Sequence, residues 1–307
     1  MDRVSTHERT DTGVATRSGF VALAGRPNVG KSTLANAIVG AKVAIVSDKP
    51  QTTRRAIRGI ATGPDWQLVL VDLPGVQRPR DPLTERMQRR VERELTEADS
   101  CLFVVNAEEG IGPGDRFIAG LLGFSVVPVA IVVNKIDRAN RASVAATLHA
   151  AADLLPRSDV FPVSARTGSG VGSLADHLVS LLPEGPFYFE RQQRSDQREE
   201  VKLAELVREQ VLRHTREEIP HAVEVQIEST EQPRDELIRI EAVLLAETES
   251  QKGILIGSRG RMVKTIGTAA REAIERELGL QVHLALKVRV RRHWRADEHM
   301  LDRLGID

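Results

Sequence analysis

The stretch FVALAGRPNVGKSTLANAIVG at residues 20–40 limits how this chain can fold more than any other. An unbroken apolar run suits a buried strand, and a helix-periodic run follows a glycine-rich loop. Gly25, Gly30, Lys31 and Ser32 fit the spacing G-x-x-x-x-G-K-[ST]. That spacing binds phosphate only between a strand and a helix, where the first backbone N–H groups of the helix point at the anion. Gly25, Arg26, Pro27, Asn28, Val29, Gly30, Lys31, Ser32 and Thr33 are therefore the expected phosphate cradle. Lys31 would reach the β- and γ-oxygens, and Ser32 would ligate Mg²⁺.

Further apolar runs repeat the pattern: WQLVLVDLPG from 66, CLFVVNA from 101, VVPVAIVVNKID from 126 and VFPVSA from 160. Strands alternating with helical patterns predict a doubly wound α/β domain over 18–183, its parallel sheet covered on both faces. Residues 1–17 are polar and expected to be a disordered tail, and the Pro- and Gly-containing stretch 184–200 reads as a linker. After it the order changes to α-β-β-α-α-β, a smaller α+β domain over 201–307 ending in a helix. A chain of 307 residues suits two cores, and 3% aromatics make them aliphatic. The one cysteine, Cys101, lies in an apolar run and reads as an inert buried thiol. With no disulfide partner and no apolar run long enough to span a bilayer, the chain is expected in the cytoplasm, as a monomer.

NKID at 134–137 speaks to the base. Guanine shows two adjacent donors, N1–H and the 2-amino group, and the Asp137 carboxylate can accept both. Adenine would leave it partly unpaired, a large penalty in a buried site. Asn134 would brace the pocket, Lys135 and Ile136 would line it, and in VSART the Ala165 amide, beside Ser164, would donate to guanine O6. Between these boxes, DLPG places Asp72 to hold Mg²⁺, with Leu73 and Pro74 leading to Gly75, whose N–H can sense the γ-phosphate. Thr53 in KPQTTRRAI would complete the metal shell. The catalytic set expected is thus Lys31, Thr53, Asp72 and Gly75. Val76 stands where many GTPases carry a water-orienting glutamine, so hydrolysis should be slow. Arg54 and Arg55 read as solvated loop charges or phosphate binders for a partner, ahead of an arginine finger.

The second glycine loop, GILIGSRGRM at 253–262, lacks the G-K-[ST] ending. Gly257-Ser258-Arg259-Gly260 joins two helical patterns with Ile254, Leu255, Ile256, Met262, Val263 and Ile266 around the turn. That arrangement suits clamping about four nucleotides of single-stranded RNA against an apolar groove. From 252 to 295 there are eleven Lys or Arg against three Asp or Glu, net +8; from 199 to 251 there are six against fourteen, net −8. A domain with one basic and one acidic face is expected. Lys252, Arg259, Arg261, Lys264, Lys287, Arg289 and Arg291 are the candidate RNA-contacting cations.

The order GRPNVGKST, QTTRR, DLPG, NKID, VSA and then QKGILIGSRGRMVKTIG closely resembles the bacterial Era GTPases over about residues 18–300. The resemblance implies a Ras-like G domain followed by a type II K homology (KH) domain. It also implies binding of GTP/GDP and Mg²⁺, a role in ribosome assembly at the 3′ end of 16S rRNA, and peripheral association with the membrane. In that family a hydrophobic residue replaces the catalytic glutamine, as Val76 does here, and Asn28 resembles an asparagine that holds K⁺ in relatives. Leu73 departs from the usual threonine of that box. Three readings stay open: a GTP-gated RNA-binding assembly factor, a GTPase whose second domain serves a protein or anionic lipid, and an RNA-binding module for which hydrolysis is only a timer.

Overall fold

The computed structural model describes residues 16–49, 51–76 and 79–306, and the expected tail over 1–15 lies outside them. Six strands form the first sheet: β1 (Arg17–Ala24), β2 (Ile57–Thr62), β3 (Trp66–Asp72), β4 (Ser100–Asn106), β5 (Val129–Asn134) and β6 (Val160–Pro162). Their order is β2-β3-β1-β4-β5-β6. Helices α1 (Lys31–Val39) and α5 (Val171–Ser180) cover one face. Helices α2 (Pro82–Glu97), α3 (Pro113–Leu122) and α4 (Arg141–Leu154) belong to the other. β4 is buried along its whole length, which is why it is apolar without alternation. Cys101 lies in it, and burial pushes its thiol up to about 12, so it is inert.

Two expectations are corrected here. The sheet is mixed, because β2 runs antiparallel to β3. Only residues 63–65 connect them, far too few for the crossover that parallel neighbours require. Arg17, assigned to the tail on sequence grounds, is the first residue of β1 and pairs with Trp66. The stretch between the domains is tied down along the edge of the first sheet. Gly185 N donates to Thr16 O at 2.9 Å, Ile60 N to Arg194 O at 2.8 Å, and Gln67 accepts from Tyr188 N and Phe189 N at 2.9 Å. Tyr188 rests on Phe20 with ring centroids 4.9 Å apart.

The second domain contains α6 (Glu199–His214), α7 (Ile219–Ala222), β7 (Glu224–Arg234), β8 (Leu237–Ala246), α8 (Glu249–Ile256), α9 (Arg261–Leu278), β9 (Gln281–Val290) and α10 (Glu298–Arg303). Its sheet has the order β7-β8-β9, with β8 and β9 parallel. Alternating residues of β8 split the sheet into two faces. Ile238, Ile240 and Leu244 pack under α6 and α9. Val243 and Leu245 point the other way, into a cluster with Leu83 and Met87 of α2, Trp294, and Met300 and Leu301 of α10. That cluster draws on both domains, so a shared apolar core fixes one against the other.

Candidate nucleotide-binding and RNA-binding sites

The G-x-x-x-x-G-K-[ST] loop leaves β1 and enters α1. Gly30 caps that helix at φ 99°, and a Cβ there would lie 2.4 Å from Asn134 Nδ2, so only glycine fits. Lys31 is buried and its Nζ donates to Gly25 O and Arg26 O, both at 3.0 Å, curling back over the loop. Burial lowers its pKa to about 8 against the opposing pull of Asp72. Val76 N donates to Gly25 O at 3.2 Å, which seats Leu73, Pro74 and Gly75 on the loop. The Val76 and Leu73 side chains are buried in the core.

At the end of β3, Asp72 Oδ2 accepts from Ser32 Oγ at 2.6 Å and from Thr53 Oγ1 at 3.2 Å; the two hydroxyls are 3.0 Å apart. Burial raises the Asp72 pKa, with Lys31 and both hydroxyls pulling the other way. Its Oδ1 is buried without a hydrogen-bond partner. A buried carboxylate with one unmet oxygen, beside two hydroxyls, is a donor set that fits a hard divalent cation such as Mg²⁺.

Asn134, the last residue of β5, is a brace: Nδ2 donates to Val29 O at 2.9 Å and Oδ1 accepts from Ala165 N at 3.0 Å. The bond to Ala165 N ties the VSA segment to the end of β5, beside the position expected for the base. Lys135 Nζ donates to Asn28 O at 2.6 Å, and Ile136 packs partly into the core. Asp137 Oδ1 accepts from Ser164 Oγ at 2.7 Å, which orients the carboxylate. Asn28, at φ 65°, donates from Nδ2 to Asp48 O at 2.7 Å. Gly30, Lys31, Ser32, Thr53, Gly75 and Lys135 all border one cleft of about 360 Å³.

In the second domain, α8 and α9 pack against β9, and the glycine loop forms the tip between the two helices. Gly257 has φ 70° and would place a Cβ 2.7 Å from Met262 Cβ; Gly260 has φ 76° with open space. Ser258, Arg259, Arg261 and Lys264 are exposed there, and among the described residues none of these three cations has an ion-pair partner. Leu255 and Ile266, expected around the groove, are buried in the core, whereas Ile254 stays exposed.

The expected division into a basic and an acidic face does not occur. Lys287 pairs with Glu241 at 3.0 Å, Arg289 with Glu228, Arg291 with Asp297 at 2.7 Å and Lys252 with Glu249 at 3.5 Å. β8 lies between the acidic β7 and the basic β9, and side chains reaching across the sheet pair Glu228 and Glu241 with cations of β9, so these charges largely cancel. Among the described residues of this basic segment, the cations without an ion-pair partner are Arg259, Arg261 and Lys264 at the loop tip, with Arg276 and Arg292.

A family model described as "50S ribosome-binding GTPase" matches residues 20–135, and one described as "KH domain" matches residues 218–295. The GTPase Era of Mycobacterium tuberculosis is 46% identical over 294 residues, spanning 94% of this chain and 98% of that protein. The chain belongs to the Era family of GTPases. A crystal structure of Era in complex with MgGDPNP and nucleotides 1506–1542 of 16S ribosomal RNA superposes with a TM-score of 0.91 at 34% identity, covering 95% of this chain and 99% of that one. A single-substitution variant of Aquifex aeolicus Era bound to GDP·AlF₄⁻ superposes at 0.89 with 33% identity, covering the same shares of both chains.

Within the Era fold, one group of residues escaped the sequence reading. Arg54 and Arg55 are buried between the domains rather than standing as exposed loop charges. Arg54 Nη1 donates to Glu224 Oε2 at 2.6 Å, and its guanidinium lies 5.5 Å over the Trp294 ring. Arg55 pairs with Glu205 at 2.7 Å and Glu224 at 3.3 Å. Glu205 also holds Arg208 at 2.6 Å. Burial, the largest influence on Glu224, would raise its pKa, but Arg55, Arg54 and Arg208 together hold it at about 2. The available signal was Glu205, Arg208 and Glu209 at i, i+3 and i+4 within the apolar run of α6, a second and charged face.

Proposed function

We propose that this chain is a GTP-hydrolysing switch that binds single-stranded RNA through its KH domain, its target being the 3′ end of 16S rRNA during small-subunit assembly. The observation that carries this reading is the presence, on one interlocked chain, of a glycine-loop cleft bordered by Lys135 and Arg138, the residues flanking the Ser164-oriented carboxylate of Asp137, and a GxxG tip whose cations lack ion-pair partners among the described residues. The superposed Era complex with MgGDPNP and 16S rRNA supports it. RNA and GTP are cytoplasmic ligands, and no helix among the described residues is long and apolar enough to cross a membrane; we place the protein in the cytoplasm.

Beside the cleft, Asp137 would accept from guanine N1–H and the 2-amino group, with Ser164 Oγ fixing its orientation. The α1 N-terminus and Lys31 would hold the phosphates, whose negative charge favours the charged form of Lys31 against the burial that lowers its pKa to about 8. Asp72, Ser32 and Thr53 would hold Mg²⁺, which neutralises charge on the phosphate oxygens when bound. Gly75 N–H would sense the γ-phosphate. The buried Val76 offers no group to orient water, so turnover without a partner is slow, on the order of 10⁻⁴ to 10⁻² per second. Asn28 is the residue through which K⁺ would act; equal single-turnover rates in K⁺ and Na⁺ would remove that part.

The test is binding of a short 16S 3′-end oligonucleotide in GTP-analogue and GDP states. Tighter, salt-dependent binding in the GTP-analogue state is expected, and equal affinity in both would leave hydrolysis a timer. Stronger binding to anionic vesicles than to the RNA would favour the lipid reading and overturn this one.

A further inference from the structure

The loop that carries Thr53 is held from the second domain at Lys42, Val46, Thr52, Arg54 and Arg55. Near its start, Lys42 Nζ lies 2.6 Å from Glu209 Oε2, and Val46 N donates to Glu209 Oε1 at 3.3 Å. Immediately before Thr53, the Thr52 carbonyl accepts from Arg208 Nη2. Immediately after it, Arg54 donates to Val223 O at 2.7 Å and His221 O at 2.9 Å as well as to Glu224. Thr53 itself points the opposite way, toward Ser32 and Asp72. Glu205, Arg208 and Glu209 form one face of α6 and are all buried. The opposite face of α6, with Leu203, Val207 and Val211, belongs to the second core.

A buried cluster of three guanidiniums and two carboxylates adds little adhesion, because desolvation offsets most of the attraction. The apolar cluster beside it already joins the domains. What the ionic cluster adds is position: Arg208 Nη2 reaches the Thr52 carbonyl, and Arg54 and Arg55 reach Glu224 and Glu205, only at one placement of the loop backbone, while Arg54 Nε and Arg208 Nη1 stay without a partner.

We propose that Arg208 and Glu209 of α6 are positioning residues for the GTPase reaction, holding the 42–56 loop so that Thr53 Oγ1 reaches the metal site. This rests on the reading of Asp72, Ser32 and Thr53 as the Mg²⁺ site. The second domain is then a working part of the first, and occupancy of the nucleotide cleft and the placement of α6 bias each other reciprocally.

The experiment uses the full chain as wild type, Thr53→Ala, Arg208→Lys, Lys42→Met and Glu209→Gln. Two quantities are read: the Mg²⁺ concentration for half-maximal single-turnover hydrolysis, and the affinity ratio of GTP analogue to GDP. Wild type is measured first. If it shows neither Mg²⁺-dependent hydrolysis nor guanine binding, the functional reading fails before the positioning one is reached. If Thr53→Ala changes neither quantity, the assignment of Thr53 fails, and the positioning role with it. Given an effect of Thr53→Ala, Arg208→Lys is expected to reproduce it, raising the Mg²⁺ requirement and lowering the analogue-to-GDP ratio by about fivefold or more. Lys42→Met, at a partly exposed residue, guards against an unfolded Arg208 variant and should shift both quantities in the same direction, as should Glu209→Gln. Variants that melt earlier but keep the wild-type Mg²⁺ requirement and affinity ratio would show a merely structural cluster and overturn the proposal.

Discussion

Asp137 offers the most direct single-residue test. Replacing it with Asn puts an N–H where guanine also presents donors, so the new amide and one guanine donor face each other without acceptors. One such mismatch at a solvent-reachable carboxylate costs about 1–3 kcal/mol, so Asp137→Asn should weaken GTP about 10- to 100-fold. Xanthine has a carbonyl at the 2-position, which accepts from the new amide. Titration calorimetry should therefore show the variant preferring XTP, and unchanged GTP affinity would refute the pairing. Glu224 gives the acid-side test. Its folded pKa of about 2 lies below the ordinary 4.5. The folded state therefore binds fewer protons than the unfolded one. The stabilisation is present above pH 4.5 and is lost as the pH falls toward 2. Denaturant titrations from pH 6 downward should show a steep loss of stability in wild type and a shallower pH slope in Glu224→Gln.

Among the elements, the two glycines of the KH loop differ in a way that separates folding from binding. A side chain at Gly257 collides with Met262, whereas Gly260 faces open space and needs only its positive φ, which Asp tolerates better than most residues. Gly260→Asp should melt close to wild type, keep its GTPase rate and lose RNA affinity; Gly257→Asp should also lose stability. The paired and unpaired cations differ too. Arg261→Ala or Lys264→Ala should reduce the salt slope of RNA binding by about one per residue. Lys287→Ala should change it less, because its ammonium already faces Glu241; equal slopes would contradict the pairing. Legibility follows the same division. The strand–loop–helix units and the nucleotide boxes were readable because each depends on residues close in the chain. The direction of β2 could have been read from its short connection to β3. The cancellation of charge on β9 could not, since it depends on register with strands up to 61 residues away. The Arg54–Glu224 pair spans 170 residues, and nothing in QTTRR says which carboxylate will meet it.

At the scale of the whole molecule, the domains should not behave as beads on a string. Interfaces between domains of one chain permit relative motion by default unless they are apolar and well packed. Here Leu83 and Met87 of the first domain interdigitate with Trp294, Leu301 and Leu304 of the second. Trp66 and Trp294 are the only tryptophans, and Trp294 is fully buried with its Nε1 donating to Ala222 O at 3.0 Å. In a Trp66→Phe background, Trp294 therefore reports on this junction alone. Its emission should shift to the red at the same denaturant concentration at which guanine nucleotide is released, one transition for the whole molecule. Leu83→Ala opens a cavity in the junction and touches neither ligand site. It should cost about 2–5 kcal/mol of docking free energy and bring the Trp294 shift ahead of nucleotide release. Should the two signals already separate in wild type, the shared core would be too weak to hold α6 against the nucleotide loop, and contact between the domains would have to depend on the ligands they carry.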